Sequence, residues 1–336
     1  MSIQSKRGSI LILSLWILAI LVLLSIGLGY SVSLDQKLVS YQRDRLMALY
    51  LAKAGCLAAV AELEQDPTPN VDALADQWFH DPEAFKEVTL GEGSYTVRAQ
   101  VQGEDGHPKI LYGVIDEDRK INLNIASKKI IMRLPGMTEE TADSILDWRD
   151  EDPYPHLLGA EDFYYQGLDP AYKAKNAPFE ALEELLLVRG LKEEDFWALE
   201  PFVTLYTDGK VNLNTAPREV LIALGMGEGL AEKLSHFRKG PDGLSFTRDD
   251  QIFESLGSVE QQLNASAPLT LQEAAQLTNL ISQGLMKVKS EIFRIEAQGM
   301  DRTGKIVRSV EAIVRRELKT ASGTATPTVF LYWHQD

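Results

Sequence analysis

Ile10-Leu11-Ile12-Leu13-Ser14-Leu15-Trp16-Ile17-Leu18-Ala19-Ile20-Leu21-Val22-Leu23-Leu24 opens an apolar run that continues through Ile26 and Leu28 to Tyr30. No charged residue falls between Ser9 and Leu34. About 20 apolar residues suffice to cross the ~30 Å hydrocarbon core of a bilayer, so this run is long enough to span one. It is preceded by a short polar stretch ending in Lys6-Arg7-Gly8. By the positive-inside bias these charges place the N-terminus in the cytoplasm, and Tyr30 suits the far interface. A cleaved secretory signal also begins basic and then apolar, but its apolar part is roughly 7–15 residues. The run here is longer.

The pattern then changes without a break. Asp35 to Leu63 contains no proline, and Leu38, Tyr41, Arg45, Leu49, Ala52, Cys56, Ala59 and Leu63 recur at three- and four-residue spacing. That is the period of an amphipathic helix. At ~1.5 Å per residue, Ser9 to Glu64 reads as one rod of roughly 80 Å. Asp66-Pro67-Thr68-Pro69-Asn70 stops it, because two prolines in three residues cannot continue a helix.

Beyond the rod, Ser94 to Val101 and Lys109 to Ile115 alternate with period two, as does Glu291 to Ala297. A glycine-containing loop at Asp301-Arg302-Thr303-Gly304-Lys305 joins the last of these to Ile306–Val314, a hairpin signal, and Thr328 to Trp333 supplies a closing strand. Between the strand groups lies a long region that is helical by pattern. Residues 116–285 hold 30 Asp plus Glu against 16 Lys plus Arg, so about -14 of the chain's net -15 sits there. Such a surface repels phosphate, which argues against a nucleic-acid partner. The five histidines form no metal-ligand spacing, no nucleophile elbow is present, and the single cysteine, Cys56, lies on the rod. No enzyme is expected.

Two segments of the helical region match: Ile121-Asn122-Leu123-Asn124-Ile125-Ala126 and Val211-Asn212-Leu213-Asn214-Thr215-Ala216. Each precedes a helix whose N-terminus the Asn, Thr or Ser side chains are expected to cap. Three helix–tight turn–helix units follow, turning at Gly136, Gly190 and Gly225-Met226-Gly227. They resemble helix-hairpin-helix modules, which hold nucleic-acid phosphate on backbone amides. Here Thr138-Glu139-Glu140 and Lys192-Glu193-Glu194-Asp195 put carboxylates at that position instead.

An eight-residue basic leader ending in Gly8, joined to a rod first apolar and then amphipathic, resembles the type IV pilin superfamily. Leu13 stands where most pilins carry a glutamate, a departure shared by the K-type minor pseudopilins of type II secretion systems. Other stretches are similar to that family: Tyr50-Leu51-Ala52-Lys53-Ala54-Gly55, Asp147-Trp148-Arg149-Asp150-Glu151-Asp152, Gly159 to Tyr165, Asn176-Ala177-Pro178-Phe179, Glu183 to Gly190, and Val211 to Pro217. The resemblance implies an α+β, pilin-like fold: a long N-terminal transmembrane and amphipathic helix packed on an antiparallel sheet. A large all-α domain with helix-hairpin-helix-like (SAM-like) repeats is inserted into it. The segments expected are a leader at 1–8, a transmembrane part at 9–34, pilin helix and first strands at 35–115, an acidic insert at 116–288, and returning strands with a tail at 289–336.

The resemblance also implies prepilin-peptidase cleavage between Gly8 and Ser9, methylation of the new amine, and a single-pass anchor in the bacterial inner membrane with the C-terminal domain in the periplasm. Its expected place is the pseudopilus tip, with I- and J-type minor pseudopilins and the inner-membrane secretion platform as partners. Two alternatives are a membrane-anchored DNA-uptake protein and a minor pilin of a type IV pilus. Family members bind calcium in the insert, and Asp150, Asp152, Glu161 and Asp162 are the candidate ligands. Pro153, Pro155 and Gly159 make the loop between them irregular. The plainer reading of the same residues is a solvated helix end and an ordinary cap, with His156 a solvated loop residue. Asp116, Asp118 and Asp208 are secondary candidates.

Overall fold

A computed structural model describes residues 5–102, 108–247, 249–317 and 328–336. Helix α1 runs unbroken over Ser5–Glu64. Its apolar part from Ile10 to Leu34 leaves every large hydrophobic side chain exposed, which only a non-aqueous surrounding tolerates at this density. It is the one described helix long and apolar enough to cross a membrane. The other half packs through Ala48, Leu51, Ala52, Cys56, Ala59, Val60 and Leu63. The expected stripe is shorter than its periodicity implied, since Leu38 and Tyr41 remain exposed and packing begins only at Ala48.

After a short α2 (Pro82–Phe85) come β1 (Val88–Leu90), β2 (Gly93–Val97), β3 (Ala99–Gln102), β4 (Pro108–Leu111) and β5 (Ile115–Asp116). The insert follows as β6 (Ile121–Asn122), α3 (Lys128–Ile131), α4 (Glu139–Arg149), α5 (Asp162–Tyr165), a 3-10 segment at Leu182–Leu187, α6 (Glu193–Leu199), β7 (Val203–Thr204), β8 (Val211–Asn212), α7 (Arg218–Leu224), α8 (Glu228–Arg238), α9 (Val259–Ser266), α10 (Leu271–Ser282) and β9 (Met286–Lys287). The chain returns through β10 (Ile292–Met300), β11 (Val307–Arg315) and β12 (Val329–Gln335). An antiparallel sheet of order β1-β2-β10-β11-β12, with β5 also on β10, packs one face against α1. That face supplies Val97, Phe293, Ile295, Ala297, Val310, Ala312 and Val314 to a core shared with the helix. Gly299 lets the rod come close, because a Cβ there would strike the Ala48 carbonyl and the Ala52 amide.

Two expectations change. The alternating run Ser94–Val101 is not one strand: β2 stays on the sheet, while β3 turns away to pair with β4 in a separate ribbon. The insert is not all-α, because β6 pairs with β7 and β8 with β9 as two-residue parallel ladders. It has its own hydrophobic core, from Ile121 to Met286.

The insert is built twice over. In the first unit Asn122 Oδ1 accepts from the Asn124 amide (2.8 Å), and Asn124 pins Phe179 by accepting from its N–H (2.7 Å) and donating to its carbonyl (3.0 Å). In the second, Asn212 accepts from Asn214 (2.9 Å), and Asn214 holds Phe253 in the same two ways (2.8 and 3.0 Å). Arg149 donates to the carbonyls of Leu123 and Ala126, and Arg238 to those of Leu213 and Ala216. These asparagines therefore clamp loops rather than cap helices, and the residues before α3 and α7, Ser127 and Pro217, make no side-chain cap. The turns between paired helices use Gly136, Gly190 and Gly225 at φ of 74°, 84° and 109°, where a side chain would be strained.

Candidate functional site

Helix α4 carries Asp143, Asp147 and, at its C-cap, Asp150, spaced by four and three residues and so on one face. The loop after it folds back over that face. His156 donates its amide to Asp147 (3.0 Å) and its ring Nδ1 meets the same carboxylate, while the Leu158 amide donates to Asp143 (3.2 Å). Gly159 passes so close that a Cβ would collide with the Asp147 carboxylate. Lys128 neutralises Asp143 at 2.6 Å. Asp147, Asp150 and His156 each present a ligating atom within 4.8 Å of the others. Glu161 is buried, and neither of its carboxylate oxygens completes a hydrogen bond among the described residues. Burial, then the charges of Asp147 and Asp150, push its pKa up to about 7; Asn176 and the Asp162 backbone lie near and ease this only in part.

Of the four expected ligands, Asp150 and Glu161 face this cluster. Asp152 is exposed and accepts from the Tyr154 amide (3.0 Å), and Asp162 accepts from the Ala174 amide (3.0 Å), so both are used elsewhere. Asp147 was missed, although its helical spacing from Asp143 and Asp150 was readable. His156 is an exposed loop residue as expected, but Asp147 holds its amide and ring.

Of the secondary candidates, Asp116 and Asp118 belong to a buried polar junction where the chain leaves and re-enters the sheet, and Asp208 lies exposed at its rim. Asp116 accepts from Ser290 Oγ (2.6 Å), Thr215 Oγ1 (2.5 Å) and Asn212 Nδ2 (3.3 Å). Asp118 accepts from the Glu291 amide (2.6 Å) and pairs with Lys287 (2.9 Å), which also reaches Asp208 (3.0 Å). Burial raises both Asp116 and Asp118, the latter to about 7 with Asp116 adding to it. Glu117 goes the other way. Burial opposes its charge, yet Arg294 at 2.8 Å and Lys120 at 3.2 Å hold it down to about 2. Arg316 binds Asp66 (2.8 Å), Asp72 (2.6 Å) and the Ser290 carbonyl (3.0 Å). Asp66, Asp72 and Asp76 also converge, but the Arg316 guanidinium already bridges two of them.

The family model for type II secretion system protein K matches residues 126–208, the stretch that carries the acidic cluster. The type II secretion system protein K of Pseudomonas aeruginosa is 29% identical over 261 residues, covering 74% of this chain and 76% of that protein. In sequence the chain is thus similar to type II secretion system protein K. Protein K of Klebsiella pneumoniae is 27% identical over 62% of this chain and 66% of its own length. In a crystal structure of the GspK–GspI–GspJ complex from enterotoxigenic Escherichia coli, one chain superposes with a TM-score of 0.63 at 17% identity, covering 90% of this chain and 99% of that one. At that identity the likeness establishes the fold. The likeness to protein K homologues supports a minor pseudopilin role, and the N-terminal helix fits an inner-membrane anchor.

Proposed function

We propose that this minor pseudopilin caps the tip of the type II secretion pseudopilus and, with I- and J-type minor pseudopilins, starts its assembly for protein export across the outer membrane. The position of the insert supports this reading. It is tied to the pilin part through Asp72, Asp116, Ser290 and Arg316, and Arg316 also holds Asp66, just past the end of α1 remote from the apolar run. A bulky second core at that end leaves no place for another subunit to stack above it. The relation to the E. coli complex supports GspI- and GspJ-type partners.

The apolar run then anchors the chain with its N-terminus in the cytoplasm, prepilin peptidase cuts between Gly8 and Ser9, and the new amine is methylated. The inner-membrane platform drives assembly. The helix–turn–helix units are helix-hairpin-helix-like and non-enzymatic. Glu139, Glu140, Glu193, Glu194 and Asp195 occupy the first turns of their second helices, where phosphate would have to bind. This tells against DNA uptake, and the comparisons do not favour a type IV pilus role either.

Calcium fits the acidic cluster. It takes hard oxygen ligands, and the buried, unbonded oxygens of Glu161 beside Asp147 and Asp150 are such a set. Bound there, it would neutralise carboxylates that otherwise repel one another.

Co-expression of the full chain with I- and J-type pseudopilins of the same genome is expected to yield a detergent-stable complex. Failure to recover either partner would remove the tip assignment.

A further inference from the structure

At the place where the first unit of the insert carries its acidic cluster, the second carries a mixed set that is no longer uniformly acidic. Arg149 and Arg238 play the same role in the two units, and counting back and forward from them sets Asp143 against Glu232, Asp147 against His236 and Asp150 against Lys239. Lys128, paired with Glu139, likewise matches Arg218, paired with Glu228. Glu232, His236, Lys239 and Arg218 line a cavity of about 630 Å³ at the seam between the insert and the pilin part. Arg119 lines it as well.

Arg119 is the decisive residue. It is only 8% exposed, and its Nε is sealed from solvent with no partner. Among the described residues its guanidinium forms no ion pair or hydrogen bond, and it lies over the face of Phe79, 5.7 Å away. An aromatic face leaves the in-plane N–H donors unused. Asp116, Glu117 and Glu219 are near enough to feel its charge, but none bonds it. A buried guanidinium left in this state is unfavourable unless something completes it.

We propose that this cavity binds a carboxylate presented by an acidic peptide segment of a partner protein, with Arg119 as its anchor. The planar fork of arginine matches a carboxylate in a bidentate pair. Arg119, Arg218, Lys233, Arg238 and Lys239 outnumber Glu219, Glu232 and Asp250 in the lining, within an insert that is otherwise strongly acidic. Those three acids disfavour a dianionic phosphate, and the apolar walls Leu74, Pro217 and Phe246 suit the rest of a peptide.

The test is calorimetric titration of the full chain in detergent micelles with four probes. These are a short peptide of alternating leucine and aspartate, the same peptide with asparagine, sodium acetate and inorganic phosphate. The aspartate peptide is expected to bind saturably, at least tenfold tighter than its asparagine counterpart. Arg119→Met should weaken it tenfold or more, and Arg119→Lys less. Equal binding by Arg119→Met, or no binding by the wild type, overturns the proposal. Phosphate or acetate binding as tightly as the peptide overturns the choice of ligand. If Arg119→Met does not fold, the half-exposed Arg218→Glu serves instead: a several-fold loss supports the site and unchanged binding defeats it. Loss of the site would leave the assembly role standing, since co-purification with other pseudopilins is read separately.

Discussion

Glu117 is fully buried between Arg294 and Lys120, which hold its pKa from an ordinary 4.5 down to about 2. A carboxylate with a depressed folded pKa contributes stability that is present above its unfolded value and is lost as pH falls toward the folded one. Here the window is pH 4.5 to 2, and a shift of this size corresponds to about 3 kcal/mol. Glu117→Gln is therefore expected to lower stability at pH 7 and to flatten the fall between pH 4.5 and 2, measured by urea midpoints across that range. An unchanged acid slope would show that the Arg294 contact does not govern it. The acidic cluster makes a second prediction. Calcium should raise the melting temperature of the wild type. Asp150→Asn and Glu161→Gln should remove that rise, and Asp152→Asn should keep it. A calcium response that survives in Asp150→Asn and Glu161→Gln would place the ion elsewhere.

Among elements, the contact of α1 with β10 depends on Gly299. Gly299→Ala places a methyl against the helix backbone, where neither side can yield easily, and is expected to cost about 1–3 kcal/mol. A denaturation midpoint within error of the wild type would mean that the helix can shift along the sheet. The same elements show what a sequence reader can see. The rod and the hairpin of β10 and β11 were legible because each repeats its period over many residues, and the closing strand β12 because its residues form one short apolar run. The split between β2 and β3 was not, since Tyr95, Val97, Ala99 and Val101 keep one alternation while their backbones change partners. Ladders of two residues, such as Ile121–Asn122 on Val203–Thr204, are too short to carry a period at all. In the site, Asp150 and Glu161 stood out as acids flanking a proline-rich loop. The fold of that loop onto Asp147, and the isolation of Arg119, arise from contacts between distant segments that no local pattern records.

For the whole molecule, Arg316 ties three parts together: Asp66 after the rod, Asp72 in the loop beyond it, and the Ser290 carbonyl where the insert ends. Arg316→Met leaves Asp66 and Asp72 as buried carboxylates without their cation, a loss of about 3–5 kcal/mol. Protection from hydrogen exchange is expected to fall in both cores together. A drop confined to one core would mean that the two halves fold independently of this residue.

Asp116 and Ser290 touch across 2.6 Å although 174 positions separate them. An excursion that starts and finishes at one spot makes no demand on the strand register below it. Lengthening it adds only the slowly growing entropy of a larger closed loop. The pilin portion is thus a socket indifferent to its cargo of sequence, and descendants of this gene could enlarge, trim or exchange the excursion while the shaft beneath stayed the same.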